Sequence, residues 1–555
     1  MTPLVAWVRA ADETRGIRFA RAGDEWDFWS YARLSQRTRE VASALLDAGV
    51  QRDDVVAIVT RSGPAFVTGF FGTLLCGATA SPIAAPLLFE NSAAYQEAMT
   101  ALLQSARPAV VLAEHDAHDE VERCARAAGV RRVLAIDDPV VDAARDFNDD
   151  DTPPHIALLQ FTSGSSALRR GVQVSTRALE ANVQAIRSWL HWTKADAFAS
   201  WLPLHHDMGL IGALVSSVVG QSDLWLLQPE QFVRHPHRYL QCFGRLGAVL
   251  SVMPNFGLDY ISRRVRPEAL AGCDFSGWRG LVVGAERVDA TSLARFTSLL
   301  GPFGFNPLTL LPAYGLAEAT LAVTGLPLEE MWTSVAVDPA CLSLDRDVVL
   351  VSGEAPSEVV VGCGRPVGDA SIAIIDQSGR SVPDGRVGEI VVRSTSVASG
   401  YIDSRELATT AIEDGLLNTG DAGFIRDGQL FVLGRLGDSL KVRGRIVFTE
   451  QLEVAIAARG IPRERIAALL GMHRGAPTAI VVIERSQFDA DDIFSLIRLH
   501  AGNARPLIVS APAGTIARTT SGKPQRRLLW QSFVDGTLPG RLTSASISSR
   551  DTLFD

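Results

Sequence analysis

Cations are not in excess in this chain: 53 Lys and Arg stand against 62 Asp and Glu, a net charge of −9. Broad nucleic-acid binding is therefore disfavoured, because no basic surplus is available to neutralise a phosphate backbone. Cysteine is scarce and unpaired in pattern. The six residues Cys76, Cys124, Cys242, Cys273, Cys341 and Cys363 form no Cys-x-x-Cys motif, which points to free thiols in a reducing compartment. The opening Met1-Thr2-Pro3 lacks a basic stretch followed by an apolar one, so no leader is expected and the protein reads as cytoplasmic. The longest apolar stretch, Ala65 to Phe89, is broken by Gly69, Gly72, Gly77, Pro82 and Pro86, which fits a core helix and buried strand better than a membrane span. There is no internal repeat and no Walker phosphate loop.

Apolar residues make up 47% of the chain and charged ones 21%, ample for a large core, and 555 residues are too many for one domain. Strand-like and helix-like runs alternate. Strands are expected at Val55 to Val59, Ala109 to Ala113 and Arg132 to Ile136, with helices at Thr38 to Val50, Phe66 to Cys76, Tyr95 to Ser105 and up to Ala128. This alternation predicts α/β architecture with parallel sheet covered by helices on both faces. Asp146 to Pro154 is acidic and bears proline, so it reads as a surface connector.

The connector leads into the stretch around which the chain is organised. A buried strand opening at Ile156 breaks at Thr162-Ser163-Gly164-Ser165-Ser166 before a helical pattern begins at Ser175 or Thr176. Small and hydroxyl residues after a strand let backbone N–H groups approach an anion closely. A plain turn has the same composition, so the stretch alone decides nothing. Further buried strands, Ala248 to Met253, Gly280 to Val283 and one beginning at Leu310, end in loops carrying Gly284-Ala285-Glu286 and Tyr314-Gly315-Leu316-Ala317-Glu318. In open parallel sheets, ligands sit at such strand ends. His205-His206-Asp207 precedes an apolar helix running through Val219 and lacks the further ligands of a zinc site. Beyond Val367 shorter alternating strands and turns describe a small β subdomain holding Asp421 and Arg435, and a mixed α+β module follows.

These motifs, in this order, resemble the adenylate-forming superfamily of acyl-CoA synthetases, luciferases and adenylation domains. The wording Trp201-Leu-Pro-Leu-His-His-Asp-Met-Gly209 and Tyr314-Gly-Leu-Ala-Glu-Ala-Thr-Leu321 is similar to its fatty acyl-AMP ligase branch. The resemblance implies a large N-terminal domain over 1–435, with a β subdomain at about 365–435, then a mobile α+β domain over 436–540; the serine-rich end of the chain, over 541–555, is expected to be a disordered tail. It implies that Thr162, Ser163, Gly164 and Ser165 hold the phosphates of ATP, that Gly284, Ala285 and Glu286 flank the adenine with Tyr314 stacked on its other face, and that Arg170 and Gly315 also belong to the ATP-binding set. Asp421 and Arg435 would bind the ribose, Glu318 would bind Mg²⁺, His206 would line the acyl tunnel, and Lys523 would reach in from the small domain.

The implied reaction activates a fatty acid as acyl-AMP, releases pyrophosphate, and passes the acyl group to the phosphopantetheine thiol of a separate acyl carrier protein of a polyketide or nonribosomal peptide pathway. An acyl-CoA synthetase, or a binding protein that has lost the reaction, are the alternatives. Three departures bear on the choice. Relatives commonly have Thr-Gly-x-Pro-Lys-Gly after the hydroxyl-rich loop, where this chain has Ser166-Ala167-Leu168-Arg169-Arg170-Gly171, so an arginine replaces the lysine. Gly437 stands at the hinge that usually carries Asp or Lys. The 45 residues between Glu318 and Gly364 exceed the connection in acyl-CoA synthetases, and about 330–360 resembles the insertion that restrains the small domain in acyl-AMP ligases.

Overall fold

The computed structural model describes residues 2–86, 92–137, 147, 153–162, 170–352, 357–402, 410–442, 445–518 and 523–544. Two large sheets carry the N-terminal region. In the first, the parallel strands Val133–Ala135, Val110–Ala113, Val55–Val59, Thr79–Pro82 and Ile156–Phe161 lie side by side. Gly171–Ser175 and Gly400–Tyr401 then extend it antiparallel. The second runs from Arg365–Pro366 through Ala322–Gly325, Leu310–Gly315, Gly280–Gly284, Leu250–Pro254, Ala197–Ser200, Asp223–Leu226 and Gly16–Ala20 to Trp26–Ser30. Its central strands are parallel and nearly all buried, so they read as apolar runs rather than alternating ones. Helices packed on these sheets join one continuous core that includes Phe66, Phe70, Phe71, Phe198, Phe232 and Trp278.

The helix expected from Thr38 begins earlier, at Tyr31, because Ser30 Oγ accepts the Arg33 amide and caps it. It ends at Asp47, just before Gly49 at φ 82°. The strand–loop–helix layout expected after Ile156 is also corrected. Gly171–Ser175 is a strand with Val172 and Val174 buried, so the hydroxyl-rich stretch connects two antiparallel strands and the helix Thr176–Trp189 starts only after the second. Ser175 caps that helix by accepting the Ala178 amide. The apolar helix after Asp207 is wide over Met208–Val215, with π-type turns, and becomes α-helical at Ser216–Val219.

The β subdomain pairs Ser371–Ile375, Gly388–Arg393, Leu416–Arg426 and Gln429–Arg435 around Ile374, Ile390, Val392, Leu417 and Leu430. Within the long connection, Ser334–Val337 pairs with Glu358–Val361 as a two-stranded ribbon. After Arg435 a separate core forms around Leu452, Ile456, Ile483, Ile493 and Ile497. Its sheet orders Ile466–His473, Ala476–Glu484, Arg505–Ala511 and Arg541–Ser544. Arg541–Ser544 is therefore an edge strand, which corrects the expected tail beginning at 541. The serine-rich residues 545–549 lie outside the described residues, as do most of the 146–154 connector and residues 443–444.

Candidate active site

A cavity of about 540 Å³ lies where the two large sheets, the β subdomain and the C-terminal module meet. Eleven of the residues singled out from the sequence line it: Thr162, His206, Gly284, Ala285, Glu286, Tyr314, Gly315, Glu318, Asp421, Arg435 and Lys523. They come from segments as far apart as 162 and 523 and converge because parallel strands present their carboxyl ends on one edge. Ser163, Gly164 and Ser165 lie outside the described residues. Arg170 is described, and its carbonyl accepts the Thr162 amide at 2.9 Å.

Backbone constraints shape the walls. Ala285 sits at φ 64°, a conformation uncommon for a residue with a side chain, directly after the Gly280–Gly284 strand. The next residue turns inward, and Glu286 Oε1 accepts the Phe256 amide at 2.6 Å, satisfying the first turn of the Asn255–Arg264 helix. At Gly315 a Cβ would come within 1.9 Å of the Leu321 carbonyl, so only glycine permits the tight return that carries Glu318.

Three polar groupings stand at the cavity, each with at least one member in its lining. Tyr314 donates its hydroxyl to Asp421 Oδ2 at 2.7 Å, and Arg435 Nε donates to Asp421 Oδ1 at 3.2 Å. Burial, then the adjacent Asp421 carboxylate, pushes the Tyr314 phenol well up, so it stays a donor. The same carboxylate holds the Arg435 guanidinium firmly charged against the effect of burial. In the second grouping Tyr401 donates to Glu318 Oε1 at 2.9 Å, while the Arg170 guanidinium lies 5.1 Å from the Tyr401 ring centre.

In the third, His206 Nδ1 lies 2.6 Å from Asp207 Oδ1, which also accepts the Met208 amide at 2.7 Å. Burial acts to raise the Asp207 carboxyl, and His206, the Met208 amide and the Lys523 ammonium outweigh it and keep it below the usual range. Lys523 is surrounded by the cleft walls, yet its side chain is open to the cavity. Enclosure, then Arg435, lowers its ammonium from the ordinary value, opposed by Asp207, Glu286 and Asp421.

Another part of the lining is apolar: Ile186, Trp189, Leu190, Phe198, Val252 and Leu321. One cavity thus joins a charged chamber to a greasy arm. Among the described residues, no group of three or more His, Cys, Asp or Glu side chains is arranged to cage a metal ion. The single carboxylate of Glu318 suits a hard cation held mainly by substrate oxygens and water.

The family model for AMP-binding enzymes matches residues 7–402, well over half of the chain. The chain belongs to the AMP-binding enzyme family. Among its relatives, the long-chain-fatty-acid–AMP ligase FadD32 of Mycolicibacterium smegmatis is 30% identical over 96% of this chain and 94% of that protein. JamA of Moorena producens, a medium-chain-fatty-acid–[acyl-carrier-protein] ligase, is 29% identical over 92% of this chain and 90% of its own. A structure from work on fatty acyl-adenylate ligases of E. coli and L. pneumophila superposes with a TM-score of 0.87 at 27% identity, covering 96% of this chain and 98% of that one. The α/β class expected from the alternation of strands and helices is the one this family has. No helix among the described residues is long and apolar enough to cross a membrane.

Sequence reasoning left two residues of this AMP-binding enzyme unassigned. Asp207 stood beside His206 with no role of its own. Tyr401 follows Gly400 in a segment without a periodic signal, and only the pairing of Gly400–Tyr401 with Gly171–Ser175 brings it to Glu318.

Proposed function

We propose that this AMP-binding enzyme is a cytoplasmic fatty acyl-AMP ligase. It uses ATP to activate a fatty acid and delivers the acyl group to the phosphopantetheine thiol of a separate acyl carrier protein in a polyketide or nonribosomal peptide pathway. The observation that carries this reading is the single cavity in which charged groups adjoin an apolar arm. An amphiphilic acid fits such a cavity with its carboxylate in the charged chamber and its chain among Ile186, Trp189 and Phe198.

The fatty carboxylate attacks the α-phosphorus of ATP, the bond to the bridging oxygen breaks, and pyrophosphate leaves. Two anions must approach for this to happen, so the residues around them supply positive charge. Arg170 and the Thr162 turn hold the phosphates, Tyr314 and the Gly284–Glu286 turn enclose the base, and Asp421 and Arg435 hold the ribose. Lys523 offsets charge on the transferring phosphoryl group and the entering carboxylate. Glu318 would hold Mg²⁺, which when bound neutralises part of the triphosphate charge. His206, oriented by Asp207, borders the entry of the acyl arm. In the second step the carrier thiolate attacks the acyl carbonyl and AMP leaves.

Packing around the long connection supports restraint of the C-terminal module. Phe448, fully buried, shares one apolar cluster with Val337, Leu342 and Val360 of the connection and with Phe424 and Phe431 of the β subdomain. Pyrophosphate release with acids of graded length tests the first step. Supplying coenzyme A or a holo-carrier with the acid and ATP tests the second: abundant acyl-CoA would return the acyl-CoA synthetase reading, and no acid-dependent pyrophosphate would return the binding-protein reading.

A further inference from the structure

Segment 398–402 is stitched to Glu318 from one side and to the Gly171–Ser175 strand from the other. The Ala398 amide donates to the Glu318 carbonyl at 2.9 Å, and the Tyr401 hydroxyl donates to the Glu318 carboxylate at 2.9 Å. On the opposite side, the Ser399 amide donates to Gln173 O at 2.8 Å and the Ile402 amide to Gly171 O at 2.9 Å. Tyr401 is thus fixed in register against Val172, two residues beyond Arg170. The Arg170 guanidinium lies over its ring, and the Arg170 carbonyl accepts the Thr162 amide.

Glu318 is almost wholly buried and would face an incoming triphosphate, so electrostatics alone would swing its carboxylate away. A hydroxyl donor on Oε1 holds it in place, and hydrogen bonds to charged acceptors are the stronger kind. The ring gives the guanidinium a flat π face, which a planar fork uses better than a compact ammonium does. This accounts for an arginine at 170 where relatives commonly carry lysine.

We propose that Tyr401 is a positioning residue: it holds the Glu318 carboxylate in its metal-binding orientation and couples it, through Arg170, to Thr162 in the cavity lining. The inference rests on the adenylate-forming reading of the site, and Tyr401 is not asked to touch the reacting atoms.

Tyr401→Phe keeps the ring and its contact with Arg170 while removing one hydroxyl. Calorimetric titration of ATP at graded Mg²⁺ should show the half-saturating Mg²⁺ concentration rising about tenfold, with metal-free AMP binding unchanged and the melting temperature lowered only by the loss of one buried hydrogen bond. Arg170→Lys should raise it by a smaller factor in the wild-type background and add nothing further in the Tyr401→Phe background. An unmoved Mg²⁺ dependence, or equal weakening of AMP and of ATP with Mg²⁺, overturns the positioning role. Independent, multiplying effects of the two substitutions overturn the coupling. These titrations need no fatty acid, so a failure of the proposed fatty-acid chemistry would show separately, as wild-type protein that binds ATP with Mg²⁺ but releases no acid-dependent pyrophosphate.

Discussion

Tyr314 and Asp421, 107 residues apart, are joined by a buried hydrogen bond of 2.7 Å that ties the end of a large-sheet strand to the β subdomain. Arg435 completes the arrangement on the other carboxylate oxygen. The bond joins two walls of the cavity, so it orders them together.

Tyr314→Phe keeps the ring and removes this bond. The expected outcome is a loss of about 1–3 kcal/mol of stability, since Asp421 loses one of its two partners in a buried setting, together with a raised KM for ATP. Denaturant titration and initial-rate pyrophosphate assays read the two effects.

Lys523→Ala should cut acid-dependent pyrophosphate release by about 10²–10³-fold while leaving transfer from preformed acyl-adenylate to the thiol nearly intact. Because its ammonium is held below the ordinary lysine value, activity should fall on the alkaline side at lower pH than an unperturbed lysine would give. Lys523→Arg should move that alkaline limb upward. A limb that does not move assigns it to another group.

Arg287 and Glu358 form an ion pair in which both side chains are about 95% buried, and it joins the turn after Gly284 to the ribbon of the long connection. Glu358→Ala leaves the guanidinium without its counter-charge and should cost about 3–5 kcal/mol. The double substitution Arg287→Met with Glu358→Leu should recover most of that loss, read by thermal or denaturant melting. Excising only 338–352 spares the pair and should raise coenzyme A turnover, provided the connection restrains the C-terminal module as proposed.

Arg526 lies in a carboxylate cluster, 2.9 Å from both oxygens of Glu453 and 3.5 Å from Glu450 and Asp438. Burial acts to raise the Glu450 carboxyl, but Arg526 and the local hydrogen bonds hold it below the ordinary 4.5. A depressed carboxyl binds fewer protons folded than unfolded, so its contribution is complete above pH 4.5 and is lost as pH falls through the folded value. Glu450→Gln should therefore flatten the acid limb of the melting curve while lowering stability near neutral pH.

Much of this molecule follows from one-dimensional pattern. Apolar strands such as Val55–Val59 and Gly280–Gly284 end where glycine or turn residues stop them, because burial on both faces requires continuous apolar side chains. The Gly315 turn is legible as well, since only glycine tolerates a carbonyl so near its Cα. The strand Gly171–Ser175 misled because Ser175 is at once the last residue of the strand and the cap of the helix that follows. The edge strand Arg541–Ser544 was hidden because its pairing partner, not its own composition, makes it a strand.

By itself, then, the sequence determined the α/β class, because periodicity and turn chemistry are local properties, and it carried the ordered motifs whose resemblance to the adenylate-forming superfamily implies the site. The tertiary structure decided which charges meet. Asp421 against Tyr314, Glu318 against Tyr401 and Arg287 against Glu358 are contacts between segments 70 to 110 residues apart, and nothing in local spacing encodes them. They arise when strand ends from separate sheets are brought to one edge, where burial makes every unpaired polar group costly and so selects the partners that satisfy it.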